Sequence, residues 1–174
     1  TFSYRPGDID KAITKLEEAD LLIGHNIVGF DIPAIKKVYP NFKTPLHLDT
    51  LLCSRLIWSD IKENDFKFSQ NNEMPNDCIG KHSLKSWGYR LKILKGDFKD
   101  NNTFDKFSEE MLTYCERDVE LTTKLYQKIL SKNCSKEAIE LEHEFARVIH
   151  KQEQIGFPFD KKKTQELYSK LTKR

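Results

Sequence analysis

The sequence lacks the features that mark membrane, secreted and zinc-binding proteins. No apolar run approaches the roughly 18 residues that a membrane helix needs, so the sequence predicts no bilayer-spanning segment. The four cysteines include no Cys-x-x-Cys pair, and no histidine adds the close ligand spacing of a zinc site. The amino terminus does not resemble a signal or transit peptide, and isolated cysteines are typical of reduced thiols. We therefore expect a cytoplasmic protein.

Charge is nearly balanced in this chain of 174 residues, with 29 Lys and Arg against 27 Asp and Glu. A net charge of +2 does not by itself indicate a nucleic-acid partner. It does not exclude one either, because a carboxylate cluster for metal ions would offset a basic surface. The content of 38% hydrophobic residues is enough for a packed core and excludes a fully disordered chain. The first residue is Thr1 rather than Met, which we interpret as a cut edge.

Hydrophobic periodicity predicts an α/β first half and an all-helical end. A buried strand is expected at 21–23 and another short strand at 46–48, each followed by a helix; a long polar loop is expected at 59–81 and another loop at 96–103. Gly156 is expected to end one helix, and Asp160 to cap the last after an extended link at 157–159. The predicted helices cover 8–19, 32–39, 50–56, 83–91, 108–131, 135–155 and the residues after 160.

The helix predicted from Ser108 places a carboxylate on its apolar side. Asp118 falls in an inward stripe, and Tyr114 lies one turn earlier on roughly the same side. An unpaired buried carboxylate is unfavourable, so we expect a buried base, a capped element or a metal ion beside it. The predicted stripe consists of Met111, Cys115, Asp118, Thr122, Leu125 and Ile129.

A second unusual segment, residues 24–31, follows the first predicted strand. Polar side chains at the carboxyl end of such a strand lie where α/β sheets place their sites. Asp31 could instead cap the helix that contains Pro33, and Asn26 could be a turn residue.

Together the two segments resemble the second and third motifs of the DEDD-type 3′-5′ exonucleases. Asn26, Phe30 and Asp31 fit Asn-x-x-x-Phe-Asp, and Tyr114 and Asp118 fit Tyr-x-x-x-Asp. The likeness continues along nearly the whole chain and is similar to the proofreading domains of bacteriophage family A DNA polymerases. The further segments that carry it are 3–6, 48–51, 54–57, 87–91, 95–98 and 151–160.

The resemblance implies a ribonuclease-H-like α/β fold that hydrolyses the last phosphodiester of a single-stranded DNA 3′ end. Two divalent ions, Mg²⁺ or Mn²⁺, would serve the reaction. Asp118 would bind one ion, Asp31 would hold the second through water, and Tyr114 would orient the attacking water. Asn26 and Phe30 would position the site or the terminal nucleotides. Residues 1–134 would form the exonuclease-like domain and 135–174 a helical linker and the start of a polymerase thumb, with the polymerase domain in cis.

The chain departs from this family at its first motif. The Asp-x-Glu pair that the family carries on its first strand does not occur before Asp31 on a strand-like segment. We therefore expect the first strands and half of the metal site to be missing, and the chain alone to degrade DNA poorly or not at all. The chain is either a fragment or a shortened relative completed by another chain, and its open sheet edge favours self-association.

Other functions fit parts of the sequence. A non-catalytic remnant that holds single-stranded DNA would need only stacking and basic contacts, and an RNA-trimming relative is a third possibility that the thumb-like tail opposes. His143 and His150 are interpreted as two solvated helix residues. A basic stretch is either a DNA contact or a solvated face, and it contains Lys81, Lys85, Arg90, Lys92 and Lys95.

Overall fold

The computed structural model describes residues 2–70, 74–93 and 106–172. A 3₁₀ turn at Pro6–Asp8 leads into α1, and a π-helical turn at Ile27–Asp31 leads from β1 to α2. The strands are β1 (Leu21–Gly24) and β2 (Leu46–Asp49). The helices are α1 (Ile9–Glu17), α2 (Ile32–Val38), α3 (Thr50–Ile57), α4 (Ile61–Gln70), α5 (Leu84–Arg90), α6 (Glu109–Leu130), α7 (Lys136–Ile155) and α8 (Lys161–Thr172). The loop predicted at 96–103 lies outside the described residues, as does Lys95.

The sheet is small and parallel. Leu21 pairs with Leu46 and Gly24 with Asp49, so the two carboxyl ends meet at one edge. The connection through α2 is the crossover that parallel strands require. Within the described residues each strand is paired on one side only. The α/β class is confirmed, whereas the ribonuclease-H-like fold and self-association through the open edge remain predictions.

Two apolar clusters hold the helices against this sheet. The first surrounds β1 and the π-helical turn and is built from Leu22, Ile27, Val28, Ile32 and Phe42. The second joins α3, α4, α5 and α6 through Cys53, Ile61, Trp87, Leu125 and Ile129. Trp58 packs edge-on against Trp87 with ring centroids 4.8 Å apart. Because the clusters lie beside the ends of β1 and β2, they fix the segments that follow both strands.

The buried face of α6 differs from the predicted stripe. Leu125 and Ile129 are buried as expected, and Ser108 caps the helix by accepting a hydrogen bond from the Met111 N–H. Cys115 is exposed, however, while Tyr114 and Leu121 are buried. The packing of α6 against both α3 and α5 turns this neighbouring row inward. Asp118 is consequently half-buried at the edge of the face rather than in its centre.

The prediction of a continuous loop over 59–81 is wrong, because α4 occupies Ile61–Gln70. Among residues 61–67, the part of α4 whose side chains the structure describes, Ile61 and Asp65 are buried and lie one helical turn apart. Asp65 receives a bidentate ion pair from Arg90, with Nε–Oδ1 at 2.9 Å and Nη2–Oδ2 at 2.7 Å. Because one buried position of α4 is charged, hydrophobic periodicity did not predict this helix.

The same ion pair corrects the assignment of Arg90 to a basic DNA-binding stretch. The Arg90 side chain is only 7% exposed and lies over the Trp87 ring, with its guanidinium carbon 4.9 Å from the centroid. It also donates to the Lys81 carbonyl. Arg90 therefore stabilises the fold and is not available to a phosphate backbone.

The carboxy-terminal helices differ in how they pack. α7 contacts α3 and the π-helical turn, whereas α8 buries none of its described residues. As predicted, α7 ends at Gly156 and an extended link follows. The division of the chain at residue 134 remains a prediction, although α7 packs on the elements before it. Across the described ranges, no helix combines the length and apolarity that crossing a membrane requires.

Candidate functional site

The segment after β1 is held in an unusual backbone conformation. Asn26 adopts a left-handed conformation with φ 66°, which confirms that it is a turn residue. The π-helical turn that follows buries Ile27 and Val28 and leaves the Phe30 ring 66% exposed. Left-handed backbone and π-helical turns both occur preferentially at functional positions. This turn directs Phe30 and Asp31 outward from a buried base.

Asp49, at the end of β2, fixes this turn. Its carboxylate is 1% exposed and accepts hydrogen bonds from the N–H groups of Asn26 at 2.8 Å and Val28 at 3.2 Å. It also accepts from the Leu51 N–H at 2.9 Å, which confirms the predicted cap of α3. A buried carboxylate is stable when several N–H groups satisfy it. The ends of both strands are thereby joined through one side chain.

Asp31 and Asp118 line the same cleft, which has a volume of about 640 Å³. Asp31 enters it from the π-helical turn and Asp118 from α6, and Phe30 and His25 stand at its wall. Asp31 directly precedes α2, but its side chain makes no capping hydrogen bond with that helix. The interpretation of Asp31 as a helix cap is therefore wrong. The structure brings together the two aspartates that come from different motifs.

The electrostatic environment of Asp31 opposes ionisation. The residue lies at the surface, yet protein atoms around its carboxyl group raise its pKa by desolvation, and the Asp49 carboxylate raises it further. A cation beside Asp31 would relieve both effects. Carboxylate groups with raised pKa values in a cleft are typical of sites that bind cations or exchange protons.

The two aspartates fit part of a metal site. Carboxylate oxygens are the donors that Mg²⁺ and Mn²⁺ prefer, and Asp31 and Asp118 would be the residues to hold such an ion. Over the described part of the chain, however, no group of three or more His, Cys, Asp or Glu side chains is placed to hold a metal ion. These residues therefore fit a share of a two-metal site and not a complete one.

The other two predicted site residues lie apart from this cleft. Tyr114 is 8% exposed, one turn before Asp118, and is not among the described residues that line the cleft. Asn26 lines a neighbouring depression of about 320 Å³ together with Asp49 and Glu142. The roles proposed for Tyr114 and Asn26 by the resemblance remain predictions.

Comparison with known proteins shows that the chain is similar to phage DNA polymerases. The DNA-directed DNA polymerase of Enterobacteria phage T3 is 33% identical over 217 residues, covering 99% of this chain and 31% of the relative. The DNA-directed DNA polymerase of Escherichia phage T7 matches with the same identity and coverage. The chain is homologous to these phage DNA polymerases. It spans about a third of their length, and no family model matches it.

The sequence did not predict the structural role of His143. His143 on α7 is 3% exposed, so its interpretation as a solvated helix residue is wrong. Its Nε2 accepts a hydrogen bond from the Asp49 N–H at 2.7 Å, and its Nδ1 lies 2.7 Å from the Ile139 carbonyl. Only the tautomer with its hydrogen on Nδ1 makes both bonds. A histidine inside a helix gives no sequence signal of a partner 94 residues away.

The raised pKa of Asp31 predicts a stabilising substitution. A raised folded-state pKa means that ionisation of Asp31 opposes folding, so stability falls as the pH rises above the unfolded-state pKa. Asp31→Asn should therefore increase the free energy of unfolding at pH 7, and the gain should shrink below pH 4. Urea denaturation at several pH values measures both effects.

Asp77→Asn is the matched control with the opposite sign. The Lys85 ammonium lowers the pKa of Asp77, so its contribution is present at neutral pH and is lost as the pH falls through the folded-state pKa. Asp77→Asn should reduce stability slightly at pH 7. A loss of stability in Asp31→Asn at pH 7 would contradict the assignment of an unfavourable carboxylate.

Proposed function

We propose that the chain is part of the 3′-5′ exonuclease, or proofreading, domain of a phage-type DNA polymerase. The observation that carries the proposal is the shared cleft of Asp31 and Asp118, which stand in two separate exonuclease-like motifs. Homology to phage DNA polymerases over 99% of the chain supports it. The substrate would be the 3′ end of single-stranded DNA, and the product a nucleoside monophosphate.

The chemistry is phosphodiester hydrolysis. A water oxygen attacks the terminal phosphorus, the bond from phosphorus to the 3′ oxygen breaks, and that oxygen takes up a proton. Divalent ions, when bound, supply the positive charge that lowers the pKa of the water and stabilises the leaving oxygen. Asp31 and Asp118 would hold them, and the exposed Phe30 ring would stack on a terminal base.

The alternative is a non-catalytic remnant that binds single-stranded DNA. It is favoured by one observation: the described residues place only two carboxylates in the cleft and no larger group of metal ligands. Two-metal hydrolysis needs both ions. Under this alternative the chain would bind 3′ ends through Phe30 and nearby cations without cutting them.

Manganese binding and 3′-end digestion separate the two functions. We expect electron paramagnetic resonance to show Mn²⁺ binding that Asp118→Asn weakens at least tenfold, since the variant removes one of two anionic ligands. Asp60→Asn, which changes a carboxylate outside the cleft lining, is the control and should bind Mn²⁺ normally. A 5′-labelled 20-mer should be shortened from its 3′ end slowly, and not at all by Asp118→Asn.

The outcomes distinguish the candidates. Mn²⁺ binding and DNA binding with no shortening would support the remnant. Mn²⁺ binding that is the same in Asp118→Asn as in the unsubstituted chain would contradict the exonuclease site. Rapid digestion by the chain alone would contradict the expectation that half of the site is absent from these residues.

A further inference from the structure

A second cleft adjoins the candidate site and has a different charge. It lies between α2 and α7, has a volume of about 870 Å³, and is called here the α2–α7 groove. No acidic side chain of the described residues lines it. Its ionisable lining consists of Lys36, Lys37, His47, Arg147, His150 and Lys151.

These cations are available to a ligand. Lys36, Lys37, Arg147 and Lys151 are exposed, and within the described ranges none of them forms an ion pair with an acidic side chain. Arg147 and Lys151 are one helical turn apart on α7, so they face the same side, and Lys37 stands on the opposite wall. Of the lining residues, His150 lies beside an acidic side chain, with its Nδ1 3.9 Å from the Glu153 carboxylate.

Phe30 connects the groove to the cleft that contains the two aspartates. It lines both cavities and its ring is 66% exposed. An exposed aromatic ring next to a cationic groove is the arrangement by which proteins bind single strands, because bases stack on the ring and the groove follows the phosphates. Most of the remaining lining residues are apolar, which suits nucleotides better than a free ion.

From this geometry we infer that the α2–α7 groove binds the phosphate backbone of single-stranded DNA upstream of the 3′ end held at Asp31 and Asp118. The strand passes over Phe30, with its terminal nucleotide in the acidic cleft and its preceding phosphates against Lys37, Arg147 and Lys151. This inference rests on the proposed function for the position of the 3′ end. It adds to the acidic cleft a second subsite, which is occupied by the phosphates that precede the terminal nucleotide.

A charge-matched pair of variants tests the groove. The groove variant is Lys37→Gln, Arg147→Gln and Lys151→Gln. The control variant is Lys128→Gln, Lys132→Gln and Lys136→Gln, which removes the same charge from exposed positions outside the groove lining. Binding of fluorescein-labelled oligo-dT of 3 and 12 nucleotides is measured by fluorescence anisotropy in EDTA, at several salt concentrations.

We expect the groove variant to bind the 12-mer at least about tenfold more weakly at low salt than the control variant does. Its plot of log affinity against log salt should be shallower by about 2, because each phosphate contact on a single strand contributes roughly 0.7. Affinity for the 3-mer should fall less than affinity for the 12-mer, since the shorter strand places fewer phosphates upstream of its terminal nucleotide. Equal 12-mer affinity and salt slope in the two variants would overturn the inference, as would failure of the unsubstituted chain to bind the 12-mer.

A circular oligonucleotide, which has no 3′ end, separates this inference from the proposed function. If the groove does not bind DNA, linear DNA is still preferred to circular DNA, but the groove variant and the control variant bind the 12-mer equally. If the acidic cleft does not bind the 3′ end, the preference for linear DNA disappears, while the groove variant still binds the 12-mer more weakly than the control variant does. Both effects together support the two-subsite arrangement.

Discussion

Asp49→Ala is expected to lower the free energy of unfolding by at least about 3 kcal/mol, because it leaves three backbone N–H groups without their acceptor. The carboxylate is 1% exposed, so water cannot readily replace it. Domains of this size are stable by about 5–15 kcal/mol, so the variant loses a substantial share. The stability of Asp49→Asn, which keeps one acceptor oxygen, should lie between that of the unsubstituted chain and that of Asp49→Ala. Guanidinium denaturation measures the change.

The backbone should also open more readily at the candidate site than elsewhere in the variant. Hydrogen exchange at the amides of Asn26, Val28 and Leu51 should accelerate in Asp49→Ala more than exchange in α6 does. Ser108→Ala is the matched control, because Ser108 caps a helix through a single N–H. It should cost about 1 kcal/mol and leave exchange at Asn26 unchanged. Unchanged protection of Asn26 and Val28 in Asp49→Ala would contradict the role given to Asp49.

The second large effect is expected at the buried ion pair of Asp65 and Arg90. Asp65→Ala should destabilise the chain by about 3–5 kcal/mol, because it leaves the guanidinium buried without its charge partner. It also removes the acceptor of the Gly80 N–H, which lies 2.8 Å from Oδ2. Denaturation of Asp65→Ala, Arg90→Ala and the double variant gives the coupling energy of the pair.

The exposed pair of Lys85 and Asp77 is the control for this cycle. Both side chains are more than half exposed, with the Lys85 Nζ 3.2 Å from Asp77 Oδ2. Its coupling energy should be much smaller than that of the buried pair, because solvent screens the two exposed charges. A similarly small coupling for Asp65 and Arg90 would show that the guanidinium finds other partners after substitution. It would also mean that the ion pair contributes little to holding α4 against α5.

Sequence patterns located most of the fold where packing follows an apolar row. The strands, the helix caps at Asp49 and Ser108, and the end of α7 at Gly156 were all predictable from periodicity and capping chemistry. α4 was not, because its inward row contains Asp65, whose partner comes from another helix. The same reason explains Arg90, which belongs to a basic stretch in sequence and to the interior in the structure.

The candidate site was predictable in its motifs but not in its supports. The helical register drew attention to Asp118, and the resemblance to the exonuclease motifs added Asp31; the structure places both on one cleft. The sequence could not show that Asp49 organises the turn that carries Asp31, since a cap residue looks the same whether it holds one N–H or three. Nor could it show that Tyr114 rather than Cys115 is the buried residue in this turn of α6, because that depends on where α3 and α5 pack.

The hydrogen bond from the Asp49 N–H to His143 gives α7 influence over a turn that lies far from it in sequence. His143 fixes the end of β2, and Asp49 passes that constraint to the backbone of Asn26 and Val28. α7 also supplies Arg147 and Lys151 to the α2–α7 groove. A rotation of α7 about its axis would therefore move one wall of the groove and also strain the hydrogen bonds that hold the turn under Phe30, so the groove and the acidic cleft would change shape together.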